Sequence, residues 1–334
     1  MARITDKNKN LNEEAIEASL RPTSLDDYVG QEDLKNNLRV FIGAARHRNE
    51  VLDHVLLYGP PGLGKTSLAY IIANEMHGKI RLVSGPSIER PGDLAGILSI
   101  LEPGDILFID EIHRLPRVVE EILYSAMEDY KMVIVISKDP TSASSITVDL
   151  PPFTLVGATT RAGDLSSPLR ARFGISEKLN YYTIEELKGI VQRTAKYFNS
   201  TIDDISATEI AKRSRGTPRI ANRIFRRVRD FANYEAKNVI DINDTKKALK
   251  ALKIDENGLD EVDINYLQTI KNRFGGGPVG LETVASAIGE ETSNLDEVYE
   301  PYLLKIGLID RTQKGRILTE KGKEYLLKHE NCKN

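Results

Sequence analysis

The sequence predicts an α/β domain with a parallel sheet, then an all-helical module, then a C-terminal module of three helices and a β-hairpin. Three observations support this prediction. Apolar runs without polar alternation, typical of strands buried on both faces, occur at 55–58, 106–109 and 153–160. From Thr183 the apolar residues recur at helical spacing. After about residue 260, two helical patterns are separated by G-G-G-P, a third covers 295–306, and 307–318 has a strand-turn-strand pattern.

Length and composition limit the possible classes of protein. The 334 residues, of which 40% are hydrophobic, suffice for two or three domains, which we expect at 1–182, 183–256 and 257–334. No apolar run is long enough for a membrane span, and the N-terminus lacks the apolar core of a signal peptide. The single cysteine, Cys332, excludes an internal disulfide or a cysteine-based zinc site. We therefore predict a cytoplasmic protein, and the net charge of −3 confines any DNA contact to local basic patches.

The segment before the first strand is predicted to be extended and then helical. Residues 1–19 are polar, and Pro22 disfavours a helical conformation at Arg21. An amphipathic helix follows, and its predicted buried face carries Leu34, Leu38, Phe41 and Ile42.

The loop after the first strand has the composition of a phosphate-binding loop. Residues 59–66 read G-P-P-G-L-G-K-T and fit G-x-x-x-x-G-K-[ST] at every fixed position. Glycines allow backbone N–H groups to turn inward around a phosphate, and the next helix adds its N-terminal dipole. Lys65 is then expected at the β- and γ-phosphates, and the Thr66 hydroxyl at Mg²⁺. The pattern predicts a nucleoside triphosphate site; a turn before a helix is the alternative.

Two more strand ends supply groups for hydrolysis. Asp110 and Glu111 end the second buried strand, where Asp110 can hold Mg²⁺ and Glu111 can act as general base on the attacking water. The strand at 153–160 ends in two threonines, and Thr160 can contact the γ-phosphate or the water. Arg170 and Arg172 follow. Alone they would be a solvated surface pair, but beside a nucleotide they are candidates for an arginine finger.

Residues 131–150 predict a β-hairpin inserted into the α/β pattern. Exposed apolar residues on it, for which we name Val133, Val135 and Ile146, would mark a partner site. A hairpin packed on its own domain is equally compatible with the pattern.

Two basic regions are candidates for contact with nucleic acid. Residues 212–229 hold eight basic side chains and no acidic one, a pattern that fits a nucleic-acid patch, a nucleotide sensor or a solvated helix face. The C-terminal module has the pattern of a winged helix, and its hairpin carries Arg311, Lys314 and Arg316. These side chains can reach phosphates at a duplex surface, although some winged helices bind protein instead.

These motifs together resemble the AAA+ ATPases, and most closely the RuvB family of bacterial Holliday-junction branch-migration motors. The likeness covers nearly the whole chain from about Leu20. Beside the phosphate loop, which many ATPases share, it rests on more specific strings: L-R-P with Y-V-G-Q, F-I-D-E-I-H-R-L, A-M-E-D-Y, D-L-P-P-F-T-L-V-G-A-T-T-R-A-G, S-P-L-R-A-R-F-G-I, R-G-T-P-R-I-A-N-R, and G-G-P-V-G-L-E with E-P-Y-L.

The resemblance implies roles that the patterns do not assign. Thr160 would be sensor 1 and Arg219 sensor 2. Arg172 would be the finger acting on the neighbouring subunit's ATP, with Arg170 as the alternative. The remaining nucleotide contacts would come from the adenine border, the loop and its helix, and the residues near the nucleotide: Leu20, Arg21 and Tyr28; Gly59, Gly62, Gly64, Lys65, Thr66 and Ser67; Glu128, Asp129, Tyr130 and Tyr182.

The implied function is that of a homohexameric ring that hydrolyses ATP with Mg²⁺ and translocates duplex DNA. Such a ring drives branch migration of Holliday junctions in recombination and repair, and turnover would change the angle between its large and small ATPase domains. The hairpin at 131–150 would dock RuvA, and the RuvC resolvase would join the complex. Two other functions stay open: an AAA+ clamp loader, which lacks this winged helix, and a DNA-bound regulator that uses ATP as a switch.

Overall fold

The computed structural model describes residues 17–135 and 145–331, which form two compact units. One unit comprises residues 21–59 and 63–180. The other contains Pro60–Gly62, the chain from Tyr181 onward, and the segment that ends at Leu20. Most of the polar N-terminal stretch and Cys332 lie outside the described residues.

A five-stranded parallel sheet forms the centre of the first unit. The strands of this unit are β1 (Val55–Tyr58), β2 (Ile80–Ser84), β3 (Ile106–Asp110), β4 (Lys131–Val135), β5 (Ser145–Asp149), β6 (Thr154–Thr159) and β7 (Ile175–Lys178). The sheet order is β2–β3–β6–β1–β7, while β4 and β5 pair separately as an antiparallel hairpin. Since the strands of the sheet are parallel, the phosphate loop after β1, Asp110 at the end of β3 and Thr160 after β6 lie at one edge.

Helices cover this sheet. They are α1 (Glu32–Arg48), α2 (Lys65–Glu75), α3 (Pro91–Leu98), α4 (Arg117–Glu128) and α5 (Ser167–Ala171). The predicted buried face of α1 is correct for Leu34, Leu38 and Ile42 but wrong for Phe41, which is 39% exposed. The buried stripe continues at Ala45, so Phe41 falls at the flank of a face that recurs every three or four residues.

The second unit begins with a helical module. Its elements are α6 (Ile184–Tyr197), β8 (Thr201–Ile202), α7 (Asp204–Lys212), α8 (Pro218–Tyr234), β9 (Val239–Ile240) and α9 (Ile242–Ala251). Capping boxes at Thr183 and Asp241 satisfy the first N–H groups of α6 and α9. The short parallel pair β8–β9 was not predicted, because two extended residues leave no periodic signal.

The C-terminal module has the predicted winged-helix arrangement. It comprises α10 (Glu261–Phe274), α11 (Leu281–Ile288), α12 (Thr292–Asn294), α13 (Glu300–Lys305), β10 (Ile309–Thr312), β11 (Gly315–Leu318) and α14 (Glu320–Asn331). The predicted helix over 295–306 is instead a π-helical turn, Leu295–Tyr299, followed by α13. Pro301 lies in the first turn of α13. Because proline has no N–H, it cannot donate the backbone hydrogen bond to the preceding turn that a continuous α-helix would have. Across the described ranges, no helix combines the length and apolarity needed to cross a bilayer.

Candidate nucleotide and DNA sites

The phosphate loop has a backbone that requires glycine. Gly59 (φ 144°) and Gly64 (φ 101°) occupy a region that L side chains rarely adopt. A Cβ at Gly59 would lie 2.6 Å from the Leu179 carbonyl oxygen, and one at Gly64 would lie 2.7 Å from the Tyr28 hydroxyl. Tyr28 is buried and its hydroxyl donates to the Leu63 carbonyl (3.1 Å), so it supports the loop from behind. Only glycine therefore fits at these two positions, and the glycines allow the backbone to curve around a phosphate.

The helix after the loop presents its N-terminus to the cradle. Lys65 is the first residue of α2, and its ammonium group donates to the Gly59 carbonyl at 2.8 Å, across the loop. Thr66 and Ser67 follow in the same turn. No side chain caps α2 and its first turn has no acidic residue, so an anion would meet N–H groups and a positive dipole there. These residues fit the phosphates of a nucleotide.

The acidic pair and Thr160 lie at the same edge of the sheet. Asp110 ends β3 and accepts a hydrogen bond from the Glu111 N–H (3.0 Å). Glu111 has left-handed φ (50°), and its carboxylate pairs with Arg114 at 3.0 Å. The Thr160 hydroxyl oxygen is buried and has no hydrogen-bond partner in the part of the chain that the structure describes. A buried hydroxyl without a partner is costly, and a phosphate or water at this edge would satisfy it.

His113 connects these two segments, and the sequence interpretation missed it. Its Nδ1 lies 2.9 Å from the hydroxyl of Thr159, the residue before Thr160. The contact ties the turn after β3 to the end of β6. The string F-I-D-E-I-H-R-L contains this histidine, but its partner lies 46 residues away, beyond the reach of local pattern analysis.

Arg172 and Glu128 are brought together, but away from the phosphate loop. The Arg172 guanidinium donates to Glu128 (2.9 Å) and to the Pro168 carbonyl (2.9 Å), and it lies over the Tyr124 ring at 4.6 Å. Arg172 stands just before β7, whose first residue, Ile175, is paired with the first residue of β1. Arg172 is therefore at the N-terminal edge of the sheet, whereas the loop follows the C-terminal end of β1.

The rest of the A-M-E-D-Y string also lies away from the loop. Tyr130 packs against His54 and Phe153, with ring centroids 6.4 and 5.9 Å away. These two residues immediately precede β1 and β6, so Tyr130 belongs to the N-terminal edge as well. Asp129 is exposed beside it. Within one chain, the predicted site residues form two groups at opposite edges of the sheet.

His54 is held neutral beneath this edge. Its Nδ1 accepts from the Leu155 N–H (2.9 Å) and its Nε2 faces the Met127 carbonyl (2.9 Å). Burial lowers its pKa below the usual value; the Met127 carbonyl and the Asp53 carboxylate oppose this shift.

Arg219 contacts Gly62, the end of the three-residue loop segment Pro60–Gly62 that belongs to the second unit. Its N–H donates to the Gly62 carbonyl (3.4 Å), and a Cβ on Gly62 would lie 3.1 Å from the Arg219 Cβ. Tyr182 is buried and its N–H donates to the Gly216 carbonyl (2.9 Å). The pocket that includes Gly62 and Arg219 is also lined by residues that the sequence interpretation missed, four of which are Tyr181, Thr217, Ile220 and Arg223; the winged-helix module contributes Glu297, Val298, Pro301 and Tyr302. Thr217, Ile220 and Arg223 lie within the string R-G-T-P-R-I-A-N-R, so this string could have indicated them.

The residues predicted to border the adenine all precede α1. Arg21 lies over the Tyr70 ring at 4.8 Å, and Leu20 is half-buried.

The wing arginines are engaged in ion pairs. Arg311 and Arg316 face each other across β10 and β11, a like-charge arrangement that is unfavourable by itself. Both donate to Glu300, which is fully buried, at 2.5–2.9 Å for Arg311 and 2.9–3.2 Å for Arg316. Asp296 adds a second carboxylate. Lys314, at the tip, is exposed and makes no ion pair with another described residue.

Most of the basic stretch at 212–229 is also engaged in contacts. Arg213 pairs with Glu209, Arg215 with Asp263, and Arg227 with Asp230. Arg229 lies over the Phe198 ring at 4.1 Å. The pattern therefore belongs mainly to the internal contacts of this unit.

Fold and site together define the class. A parallel α/β domain with a phosphate-binding loop, a helical lid and a winged-helix module make this an AAA+ P-loop ATPase, which binds nucleotide and hydrolyses ATP. The family models that match are the Holliday junction DNA helicase RuvB P-loop domain at residues 20–179, the RuvB AAA lid domain at 182–255 and the RuvB C-terminal winged helix domain at 256–327. The chain belongs to the RuvB family.

Solved structures agree with this assignment. The Thermotoga maritima RuvB Holliday junction branch migration motor is 52% identical, with a TM-score of 0.85 over 92% of this chain and 98% of that chain. Two variants of the Thermotoga maritima protein give 51% identity over the same shares, with TM-scores of 0.85 and 0.86.

Proposed function

We propose that this chain is an ATP-driven motor that moves duplex DNA and migrates the branch point of Holliday junctions. It would act with RuvA and RuvC in the cytoplasm. The single observation that carries the proposal is the separation of Arg172 and Glu128 from the phosphate loop of the same chain. An active site divided in this way needs a neighbouring subunit, as a ring motor does.

The chemistry at one pocket follows from the edge where β1, β3 and β6 end. Lys65 and the N–H groups of the loop hold the β- and γ-phosphates by charge-assisted hydrogen bonds. Glu111 takes the proton of the attacking water, after its carboxylate leaves Arg114. Thr160 orients the water or the γ-phosphate, and Arg219 senses the nucleotide. Thr66 and Asp110 would hold Mg²⁺, which neutralises charge on the phosphates when bound.

The finger would be supplied in trans. Arg172, held by Glu128 and Tyr124 at the N-terminal edge, would face the pocket of the next subunit, where Asp129 and Tyr130 also lie near the nucleotide. Repeating this contact would close a ring, which we expect to be a hexamer, with the large ATPase domain at 1–182, the lid at 183–256 and the head at 257–334.

RuvA would dock on the hairpin. Val133 (43% exposed) and Ile146 (52% exposed) are large apolar residues in solvent, as the sequence predicted for both; the side chain of Val135 lies outside the described residues. Val133 is opposite Thr147, and Ile146 is opposite Ile134, so the two exposed residues lie on opposite faces. The base of the hairpin packs on its own domain, where Met132 is buried and Val148 contacts the core. Val133 and Ile146 lie beyond this base and leave apolar surface exposed.

DNA would contact the wing through Lys314 and the exposed part of Arg311. Arg316, which is only 19% exposed, would act mainly by holding the wing through Glu300.

The test measures ATP turnover and junction migration with and without a synthetic four-way junction and RuvA. We expect junction and RuvA together to stimulate turnover and to give migrated product. Stimulation by primed DNA and a sliding clamp, without migration, would favour a clamp loader. Turnover that no DNA alters, with ATP changing only DNA affinity, would favour a regulator.

A further inference from the structure

Arg215 lies at the centre of a buried network that joins the lid to the winged-helix module. It is 3% exposed. Its Nε donates to the Gly258 carbonyl (2.7 Å), and both terminal nitrogens donate to Asp263, which is fully buried at the start of α10. The guanidinium also lies near the Tyr299 and Tyr302 rings, at 5.8 and 5.5 Å. One lid side chain thus contacts three separate parts of the head.

Other contacts reinforce this junction. The Tyr325 hydroxyl of the head donates to the Asp255 carboxylate of the lid (2.6 Å), and a Cβ on Gly216 of the lid would lie 2.9 Å from the Lys305 ammonium nitrogen of the head. The Asp255 N–H also donates to the Leu259 carbonyl of the head (3.0 Å). A flexible linker has few such contacts across it. The connection from lid to head is therefore rigid.

The same segment of the lid carries Arg219, which is predicted to sense the nucleotide. Arg219 follows Arg215 by four residues, at the start of α8, and its N–H donates to the carbonyl of Gly62. Between them, the Gly216 carbonyl accepts from the N–H of Tyr182. Arg215 thus contacts the head, and the same short segment contacts Gly62 through Arg219.

We propose that Arg215 is a positioning residue that fixes the head to the nucleotide-sensing segment of the lid, so that lid and head move as one body during each ATP cycle. Opening a hinge between them would separate Arg215 from Asp263 and from the Gly258 carbonyl. Any partial opening that still excluded water would leave a buried guanidinium and a buried carboxylate without partners, which is strongly unfavourable. The motion that moves DNA must then arise elsewhere in the ring. The consequence for DNA movement rests on the proposed motor function, whereas the lid–head contacts do not depend on it.

The first experiment tests the geometry alone, in the Cys332→Ser background so that no native thiol reacts. Spin labels on exposed positions, one in the lid (Lys247→Cys) and one in the head (Lys323→Cys), report the lid-to-head distance by pulsed electron resonance. We expect the same single distance with ADP, with a non-hydrolysable ATP analogue and without nucleotide. A distance that changes between these states would overturn the proposal, whether or not the protein migrates junctions.

The second experiment tests the consequence. Lys253 in the lid and Glu261 in the head form an exposed ion pair (3.1 Å), so replacing both by cysteine should be mild, and a short bis-maleimide can then lock lid to head. The control is the pair Glu235 and Lys247, also exposed and 3.1 Å apart but within the lid. We expect both cross-linked proteins to migrate junctions like the parent. Loss of migration in the first alone would mean that a lid–head hinge is needed.

Asp263→Asn weakens the contact from the head side, because it keeps the shape of the side chain and one carbonyl acceptor but removes the charge. We expect ATP turnover without DNA within about twofold of the parent, and migration per ATP lowered about tenfold, within the roughly 5–150-fold range of measured couplings. The cross-link between positions 253 and 261 should restore migration in this variant. Unchanged migration per ATP in the folded variant, or no restoration, would overturn the role of the contact. A parent that fails to migrate junctions would instead count against the proposed function.

Discussion

Replacing Arg172 by alanine tests whether the active site is divided between subunits. Arg172 precedes β7, which starts level with β1, and the phosphate loop follows the end of β1. A four-residue strand spans about 13 Å, so the two groups lie at least that far apart along the sheet. Arg172 cannot serve its own pocket while it pairs with Glu128.

The expected loss is large and does not come from unfolding. A finger contributes roughly 10³–10⁵ in turnover. The substitution removes the ion pair with Glu128, whose side chain is 63% exposed and stays solvated. The loss of this pair should lower the free energy of unfolding by about 1 kcal/mol or less. ATP turnover should therefore fall at least about 10³-fold, while the thermal unfolding midpoint moves little.

Mixing with a second inactive variant, Lys65→Ala, gives the decisive assay. In a ring assembled from equal amounts, about a quarter of the interfaces would combine an intact pocket with an intact finger, and turnover should recover toward that share. Arg170→Ala is the matched control, since Arg170 is exposed and makes no ion pair within the described ranges. No recovery at any ratio, with mixed rings confirmed by two affinity tags, would refute action in trans. An active Arg172→Ala beside an inactive Arg170→Ala would move the finger to Arg170.

Three further predictions concern the pocket, the core and the wing. Lys65→Ala should weaken nucleotide binding, because the phosphates lose a charged partner. Glu111→Gln should keep ATP bound but stall hydrolysis, since an amide cannot accept the water's proton. Equal loss of nucleotide binding by both variants in equilibrium titrations would contradict these separate roles. His54 is neutral in the folded protein because burial lowers its pKa. As the pH falls below about 6.5, the unfolded chain therefore binds a proton at this histidine before the folded protein does. The free energy of unfolding should then drop by up to about 1.4 kcal/mol per pH unit. Denaturant titrations at several pH values check this, and His54→Gln should remove the extra slope. Lys314→Ala should lower duplex affinity and reduce the salt slope of binding by about 0.9, while Lys212→Ala, in the lid, should not; the opposite result would place DNA on the lid.

The secondary-structure elements and the chemistry of the phosphate loop follow from the amino-acid sequence alone. Buried strands, the G-P-P-G-L-G-K-T loop and the helix after it are contiguous, so composition and periodicity report them directly. The parallel order of strand, loop and helix also predicts which strand ends share an edge with that loop. This is why the prediction for Asp110 and Thr160 at that edge is correct.

The pairing of distant charges, by contrast, depends on tertiary packing. Arg172 pairs with Glu128, 44 residues away in sequence, and Arg215 pairs with Asp263, 48 residues away. Glu300 accepts hydrogen bonds from both wing arginines. In sequence, each arginine resembles a free cation available to phosphate. Packing between separate elements selects these partners. For Asp263 and Glu300 burial adds a requirement, because a charge removed from water needs a partner at hydrogen-bonding distance.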